Sequence, residues 1–255
     1  MNKFRLIVDP PLSGPINMAK DHAILYGISH HGLLPVLRIY RWLEPTVTVG
    51  FFEDIKYTVN RVYCNKKKIP IIRRESGGGT VLHHMELTYS FTIQLDSNLI
   101  PQSVEGSFQK IISPLINTLK EYIDQVEYRP VNDIVINRRK ISGSAQIRKY
   151  GALQQHGTIM LDIDDEILTS SILYDGFKLI NRGFISQRQS LTSMTDETGR
   201  DIDEKFIEEF VAKIINRFHK EFSIDFTASD ISESEKKIME EYAEKFASDK
   251  WNYKK

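Results

Sequence analysis

The sequence has a single cysteine and no excess of charge of either sign. Its 255 residues include 34 basic and 34 acidic side chains, so the formal net charge is zero. Such a chain has no overall field to attract nucleic acid or membranes, and neither is expected as a partner. The lone Cys64 cannot form an intramolecular disulfide. No apolar run approaches the roughly 20 residues that span a bilayer, and the N-terminus lacks the apolar core of a signal peptide. These absences predict a soluble cytoplasmic protein.

The apolar content of 41% is sufficient for a large core, and no linker rich in glycine, serine or proline divides the chain. We therefore expect a single catalytic domain over residues 1–255. Strand-like segments in hairpin-like pairs dominate the first half. Apolar residues at helical spacing predict helices over 16–26, 104–123 and 202–222, and Ser232 with Glu235 forms a capping-box pattern that predicts a last helix. Strictly alternating βαβ units are absent, so an α+β fold is expected, with mixed, largely antiparallel sheets flanked by helices.

Three consecutive glycines, Gly77 to Gly79, lie between two strand-like segments. Glycine loses much conformational entropy on folding, so such a run indicates either a tight turn or close approach of the backbone to a ligand. Arg73-Arg74 precede it and His83-His84 follow it, which favours an anionic ligand. The loop matches neither the P-loop nor the G-x-G-x-x-G pattern. A glycine-rich hairpin with solvated charges is the alternative interpretation.

Two further motifs, together with this loop, carry a family resemblance. They are Asn132-Asp133 with Lys140 to Ala145, and His156-Gly157-Thr158. The set resembles the lipoate-protein ligase family, whose signatures are an R-R-x-S-G-G-G loop followed by a histidine, an N-D strand, a K-x-S-G-S-A turn and an H-G-T strand. The resemblance runs from about Arg38 to Asn252. It implies the fold shared by biotin and lipoate ligases and octanoyltransferases.

The resemblance also implies roles for single residues. In lipoate ligases the motif lysine offsets charge on the carboxylate that attacks the α-phosphate of ATP, and Lys140 matches that catalytic lysine. Asp133 is expected either to hold magnesium or the acceptor amine, or to anchor a turn, and His156 is either a pocket residue or a structural histidine. The positions matching ATP contacts are Arg74, Gly79, Thr80, Val81, Leu82 and Lys140. Those matching the lipoate site are Arg74, Ser76, Gly77, Gly78, His83, Lys140, Gly143 and His156.

The reaction expected from the sequence depends on a nucleophile. Octanoyltransferases of this fold pass the acyl group through a cysteine just upstream of the K-x-S-G motif, but residues 125–131 contain none, and Cys64 lies in another segment. We therefore expect an ATP-dependent lipoate-protein ligase. It would use ATP and Mg²⁺ to activate lipoate or octanoate as acyl-AMP, then modify a lysine of a lipoyl domain. The resemblance implies an acceptor of the 2-oxoacid dehydrogenase E2 or glycine-cleavage H protein type.

Several alternatives stay open. One alternative is an ATP-independent octanoyl or lipoyl transferase. It is suggested by His84, which stands where ligases often have aspartate, and by the segment 86–90, which looks more like the octanoyltransferase branch. Two further alternatives are a biotin ligase and a non-catalytic protein that binds an acyl-adenylate or a lipoyl domain. Many ligases of the family carry an accessory C-terminal domain, which this chain is expected to lack. Without that domain, the chain would either be inactive until a separate small accessory chain binds, or act alone.

Overall fold

The computed structural model describes residues 1–174, 176–181 and 183–254, with the backbone alone at 177 and 178. An eight-stranded sheet has the order β11-β1-β2-β6-β10-β9-β8-β7. β1 pairs in parallel with β2 and β11, and the other neighbours are antiparallel. Its strands are β1 (Asn2–Val8), β2 (Val36–Tyr40), β6 (Glu86–Gln94), β7 (Val126–Arg129), β8 (Asp133–Ile136), β9 (Arg139–Lys149), β10 (Ala152–Met160) and β11 (Ile224–Ala228).

A second, three-stranded sheet carries the glycine loop. Its order is β4-β3-β5, with β3 (Thr46–Val49), β4 (Ile71–Arg73) and β5 (Val81–His83). The loop spans residues 74–80, between β4 and β5. An apolar cluster that includes Val47, Val49 and Cys64 packs this small sheet against the two short helices that follow β3. The loop is therefore held at both ends by a buried sheet.

Helices cover both faces of the large sheet, because its strands alternate apolar side chains between two cores. Phe4 and Leu37 belong to the larger core, with residues of α4 and α8, whereas the alternate residues Ile7 and Val36 pack with α1 in the other. The helices are α1 (Gly14–His31), α2 (Ile55–Thr58), α3 (Arg61–Lys67), α4 (Val104–Leu119), α5 (Asp165–Ser171), α6 (Gly176–Asn181), α7 (Met194–Thr198), α8 (Glu204–Phe222), α9 (Glu233–Ala247) and α10 (Asp249–Asn252).

The predicted α+β class with mixed, largely antiparallel sheets and flanking helices is confirmed. The capping box of Ser232 and Glu235 also opens α9 as predicted. The single-domain organisation of residues 1–255 stays a prediction. Among the described residues, no helix has both the length and the apolar content to cross a membrane.

Three local expectations were wrong. The K-x-S-G-S-A segment is not a turn but part of β9, and the turn lies before it, where Asn137 and Arg138 have positive φ. The helix expected over 104–123 ends at Leu119. The first helix was expected to bury one apolar face, but polar residues of α1 such as Asn17 and Lys20 are buried too. Asn17 Oδ1 accepts from Arg38 on β2, and Lys20 donates to Asp9 and Asp230.

Candidate active site

Arg74 is buried beneath the glycine loop and fixes its shape. Its Nη2 donates to the carbonyl oxygens of Gly77, at 2.9 Å, and Gly79, at 2.6 Å, and its Nη1 donates to Thr48 Oγ1 at 3.0 Å. Burial lowers the pKa of Arg74 to about 10. A Cβ on the neighbouring Gly50 would lie 1.8 Å from the carbonyl oxygen of Gly78, so the loop backbone packs where only glycine fits. The Arg74 guanidinium thus fixes the backbone of the loop through hydrogen bonds to its carbonyl oxygens.

A cavity of about 160 Å³ lies between this loop, β9 and β10. Most of the residues predicted for the site line it, namely Arg74, Gly78, Gly79, Thr80, Val81, Leu82, His83, Lys140, Gly143 and His156. Ser76, Gly77 and Asp133 lie outside this lining. Two polar atoms of the lining residues, Arg74 Nε and Thr80 Oγ1, are buried without a partner. Both residues line the cavity, but these two atoms are themselves buried.

Lys140 is positioned by Asp133 on the adjacent strand. Lys140 Nζ lies 2.8 Å from Asp133 Oδ1, and the other carboxylate oxygen accepts from Arg129 at 2.8 Å. A bulge puts Ile141 outside the β8 register, so Lys140 and Gly143 project to the same side of β9 although they are three residues apart. Burial acts to raise the pKa of Asp133, but Lys140 and Arg129 together outweigh it and the pKa is lowered.

The carboxylate of Asp133 is thus shared between two cations. Among the described residues, no group of three or more histidine, cysteine, aspartate or glutamate side chains is placed to hold a metal. The magnesium role of Asp133 stays a prediction. Its observed partners fit the alternative role that the sequence left open, a carboxylate that anchors and orients a neighbouring cation.

Five other residues that line the cavity are joined by a chain of polar contacts. His83 Nδ1 lies 2.6 Å from Glu86 Oε1, and its Nε2 lies 2.7 Å from Thr48 Oγ1. Thr88 Oγ1 donates to the same Glu86 Oε1 at 2.8 Å. In turn, Thr88 Oγ1 accepts a hydrogen bond from Trp42 Nε1 at 2.9 Å. The indole of Trp42 stacks on the His83 ring with centroids 3.9 Å apart. Both ring nitrogens of His83 are therefore engaged within the protein.

Ser76, His156 and Asp21 form a similar internal chain. Ser76 Oγ lies 2.7 Å from His156 Nε2, and His156 Nδ1 lies 3.2 Å from Asp21 Oδ2. Burial acts to raise the pKa of Asp21, but the charge of Arg38 at 2.7 Å is one of several effects that lower it. These distances resemble a serine–histidine–aspartate triad, but Ser76 lines a separate space of about 20 Å³. The arrangement positions His156 in the cavity wall and does not present a serine nucleophile there.

Cys64 is remote from this chemistry. Its side chain is fully buried, and its Sγ is 3.9 Å from the carbonyl oxygen of Ser171. Burial raises the pKa of the Cys64 thiol to about 11, which disfavours the reactive thiolate. Cys64 is not among the residues that line the cavity. Cys64 is thus a packed residue of α3 and not a thiol of the cavity.

The sequence analysis missed other residues of the cavity, because no local motif marks them. Trp42, Thr48 and Glu86 come from three different segments and meet only through the pairing of β3 with β5 and the turn into β6. Two signals were available, the three-residue spacing of His83 and Glu86 and the resemblance of the segment from Tyr40 to Trp42 to the family. The apolar lining comes from still more distant positions, Met18, Met160, Leu168, Ile172 and Leu191.

The glycine loop and the lysine on β9 come together at one cavity, and comparison with known proteins identifies the class of enzyme that has this site. A family model for the lipoyl protein ligase A/B catalytic domain matches residues 13–219, and this chain belongs to that family. Octanoyltransferase LipM of Clostridioides difficile is 30% identical over 276 residues, with 100% of both chains covered. Octanoyltransferase LipM of Bacillus cereus is 30% identical over 270 residues, with 95% of both covered.

A solved structure extends the comparison to the fold. The bipartite lipoate protein ligase of Thermoplasma acidophilum matches with a TM-score of 0.85 and 25% identity, over 99% of this chain and 97% of that one. The predicted membership of the biotin, lipoate ligase and octanoyltransferase superfamily is confirmed.

The predicted ATP-dependent lipoate ligase activity was wrong, because the full-length curated relatives are octanoyltransferases. The expected ATP and Mg²⁺ lose their support with it. The error arose from the weight given to the missing cysteine. The signals that pointed to the other branch, His84 and the segment from Glu86 to Ser90, were the better guide.

Proposed function

We propose that this chain is an octanoyltransferase that moves an octanoyl group, without ATP, from a carrier-protein thioester to a lysine of a lipoyl domain. The observation that carries the proposal is the position of Lys140. Its ammonium is held by Asp133 where it lines a cavity whose lining includes many apolar side chains. An acyl chain fits such an interior, and a fixed cation suits a carbonyl on which negative charge develops.

The reaction is an aminolysis of a thioester. The neutral amine of the acceptor lysine attacks the acyl carbon, an N–C bond forms and the C–S bond breaks. The proton lost by the attacking nitrogen leaves with the thiolate, which departs as the carrier thiol. Negative charge on the carbonyl oxygen in the transition state is stabilised by the Lys140 ammonium.

This route includes no acyl-enzyme, because the one thiol of the chain lies in a different core. Cys64 packs with Val47 and Val49 beneath the small sheet. Direct transfer from donor to acceptor requires both carriers to approach the cavity together. The proposed acceptor is a lipoyl domain of the E2 or H protein type, and residues 1–255 would act as one catalytic domain. The need for an accessory chain stays a prediction.

The test is the intact mass of a lipoyl domain incubated with this chain and an octanoyl-carrier protein. We expect an octanoyl mass increase on the domain with or without Mg-ATP. A matched reaction with Lys140→Ala should show little increase in the same time. A mass increase that appears only with free acid and Mg-ATP would contradict the proposal.

A further inference from the structure

The cavity that contains Lys140 has a second cavity beside it. This neighbouring cavity, of about 330 Å³, is lined by residues including Pro11, Leu43, Pro45, Leu161 and Ile207, and by several charged side chains. Among the described residues, Trp42 and Glu86 are the two that line both cavities. They form the wall between them, which we call the Trp42–Glu86 wall.

The wall is held rigidly. The Trp42 indole is stacked on His83 at an interplanar angle of 16°, and its N–H donates to Thr88. Glu86 is only 4% exposed, and its Oε1 accepts from both His83 and Thr88. Moving the indole would break its hydrogen bond and leave Thr88 with one contact fewer. Rotating the carboxylate would leave buried polar groups without partners, which is costly. An acyl chain that reaches this wall therefore meets a surface that does not yield.

We propose that the Trp42–Glu86 wall limits the length of the acyl chain that the enzyme accepts, and that Trp42 is its specificity-determining residue. The proposal rests on the proposed function only in placing an acyl chain in the cavity. A chain longer than the cavity would have to displace the indole. With the indole removed, it would continue into the neighbouring cavity and bury its extra methylenes against residues such as Leu43, Leu161 and Ile207.

The expected size of the effect follows from burial. Each methylene transferred from water to an apolar surface raises binding by a factor of about four. Dodecanoate has four more methylenes than octanoate. Because the neighbouring cavity is partly polar, only some of these methylenes will contribute their full binding free energy. We expect the Trp42→Ala variant to raise the ratio of dodecanoate to octanoate affinity by about tenfold or more.

The experiment measures binding of octanoate and dodecanoate to the full chain by a thermal-shift titration. It also measures transfer rates from octanoyl- and dodecanoyl-carrier protein. Trp42→Ala should shift both ratios towards dodecanoyl, whereas Trp42→Phe retains a ring against His83 and should keep the native preference. Leu43→Ala is the matched control, because Leu43 lines only the neighbouring cavity.

An unchanged ratio in a folded Trp42→Ala variant would overturn the proposal. So would an equal shift in Leu43→Ala. If Trp42→Ala does not fold, Trp42→Leu opens part of the same wall and is judged by the same ratio. Absence of transfer from octanoyl-carrier protein in the native chain would contradict the proposed function instead, while the binding ratio would still decide the role of the wall.

Discussion

Lys140 Nζ and the position where a Cβ on Gly143 would stand are only 2.3 Å apart. The Lys140 side chain passes over Gly143, and its Nζ lies 2.8 Å from Asp133 Oδ1. The bulge at Ile141 places both residues on one side of the strand, and the missing side chain at Gly143 leaves room for the lysine. The site thus depends on a backbone irregularity and on a glycine, as well as on the two charged groups.

Replacing Lys140 by alanine should lower the octanoyl transfer rate by about 10² to 10³, the usual effect of removing one donor that stabilises a developing oxyanion. The lysine is partly exposed, so the fold should survive. Transfer rates and a thermal unfolding curve provide the measurement. Lys149→Ala is the matched control, because Lys149 lies on the same strand but pairs with Glu75 at 3.8 Å. Equal loss of transfer in both variants would contradict the role of Lys140.

Gly143→Ala should lower the transfer rate by about tenfold, because the new methyl group displaces the ammonium from Asp133 while the flexible lysine side chain absorbs the clash. The check is a double-mutant cycle with Lys140→Ala. If Gly143 acts only through Lys140, the glycine substitution has no further effect once the lysine is absent. Additive losses would show that Gly143 is needed for another reason.

The parts of the site that local motifs encode could be predicted from the sequence. The loop from Arg74 to Thr80 and Lys140 were found because their residues are close in the chain. The K-x-S-G-S-A segment of β9 was expected to be a turn from the family resemblance, and its small residues are also common in turns. Here they allow close packing, since a Cβ on Gly157 of β10 would lie 2.5 Å from Ser144 Oγ.

The remainder could not be predicted, for a physical reason. Trp42 and Glu86 meet only when separate strands pair, and Asp21 reaches His156 from a helix 135 residues away in the chain. A buried polar side chain such as Asp21 has no periodicity to reveal it, because its position depends on the partners that satisfy it. Arg38 and Tyr40 supply those partners from β2.

Cys64→Ser should leave the transfer rate within about twofold of the native value, because the thiol lies outside the cavity. It should lower the free energy of unfolding by about 1 to 3 kcal/mol, since a hydroxyl replaces a thiol in an apolar cluster. Transfer kinetics and urea unfolding measure the two effects. An octanoyl adduct on Cys64 in the native enzyme, together with loss of transfer in a folded Cys64→Ser variant, would show that the acyl group does pass through the cysteine.

Glu75, the residue before Ser76, anchors the glycine loop to two helices. Its Oε2 lies 2.6 Å from His22 Nδ1 on α1, and its Oε1 lies 3.0 Å from Lys245 Nζ on α9. Burial acts to raise the pKa of Glu75, but His22 and Lys245 outweigh it, and the pKa falls to about 2 from an ordinary value of 4.5. The folded state thus binds this proton less tightly than the unfolded state does.

The sign of the pH dependence follows from that difference. A carboxyl whose pKa is lowered on folding stabilises the protein fully above its unfolded pKa, and the contribution is lost as the pH falls from about 4.5 to about 2. The shift corresponds to at most about 3 kcal/mol. Glu75→Gln should therefore reduce the free energy of unfolding at pH 7, and the difference from the native chain should narrow below pH 4.5. Urea unfolding of both proteins between pH 3 and 7 measures it, and a difference that stays constant over this range would show that the charge of Glu75 is not what anchors the loop.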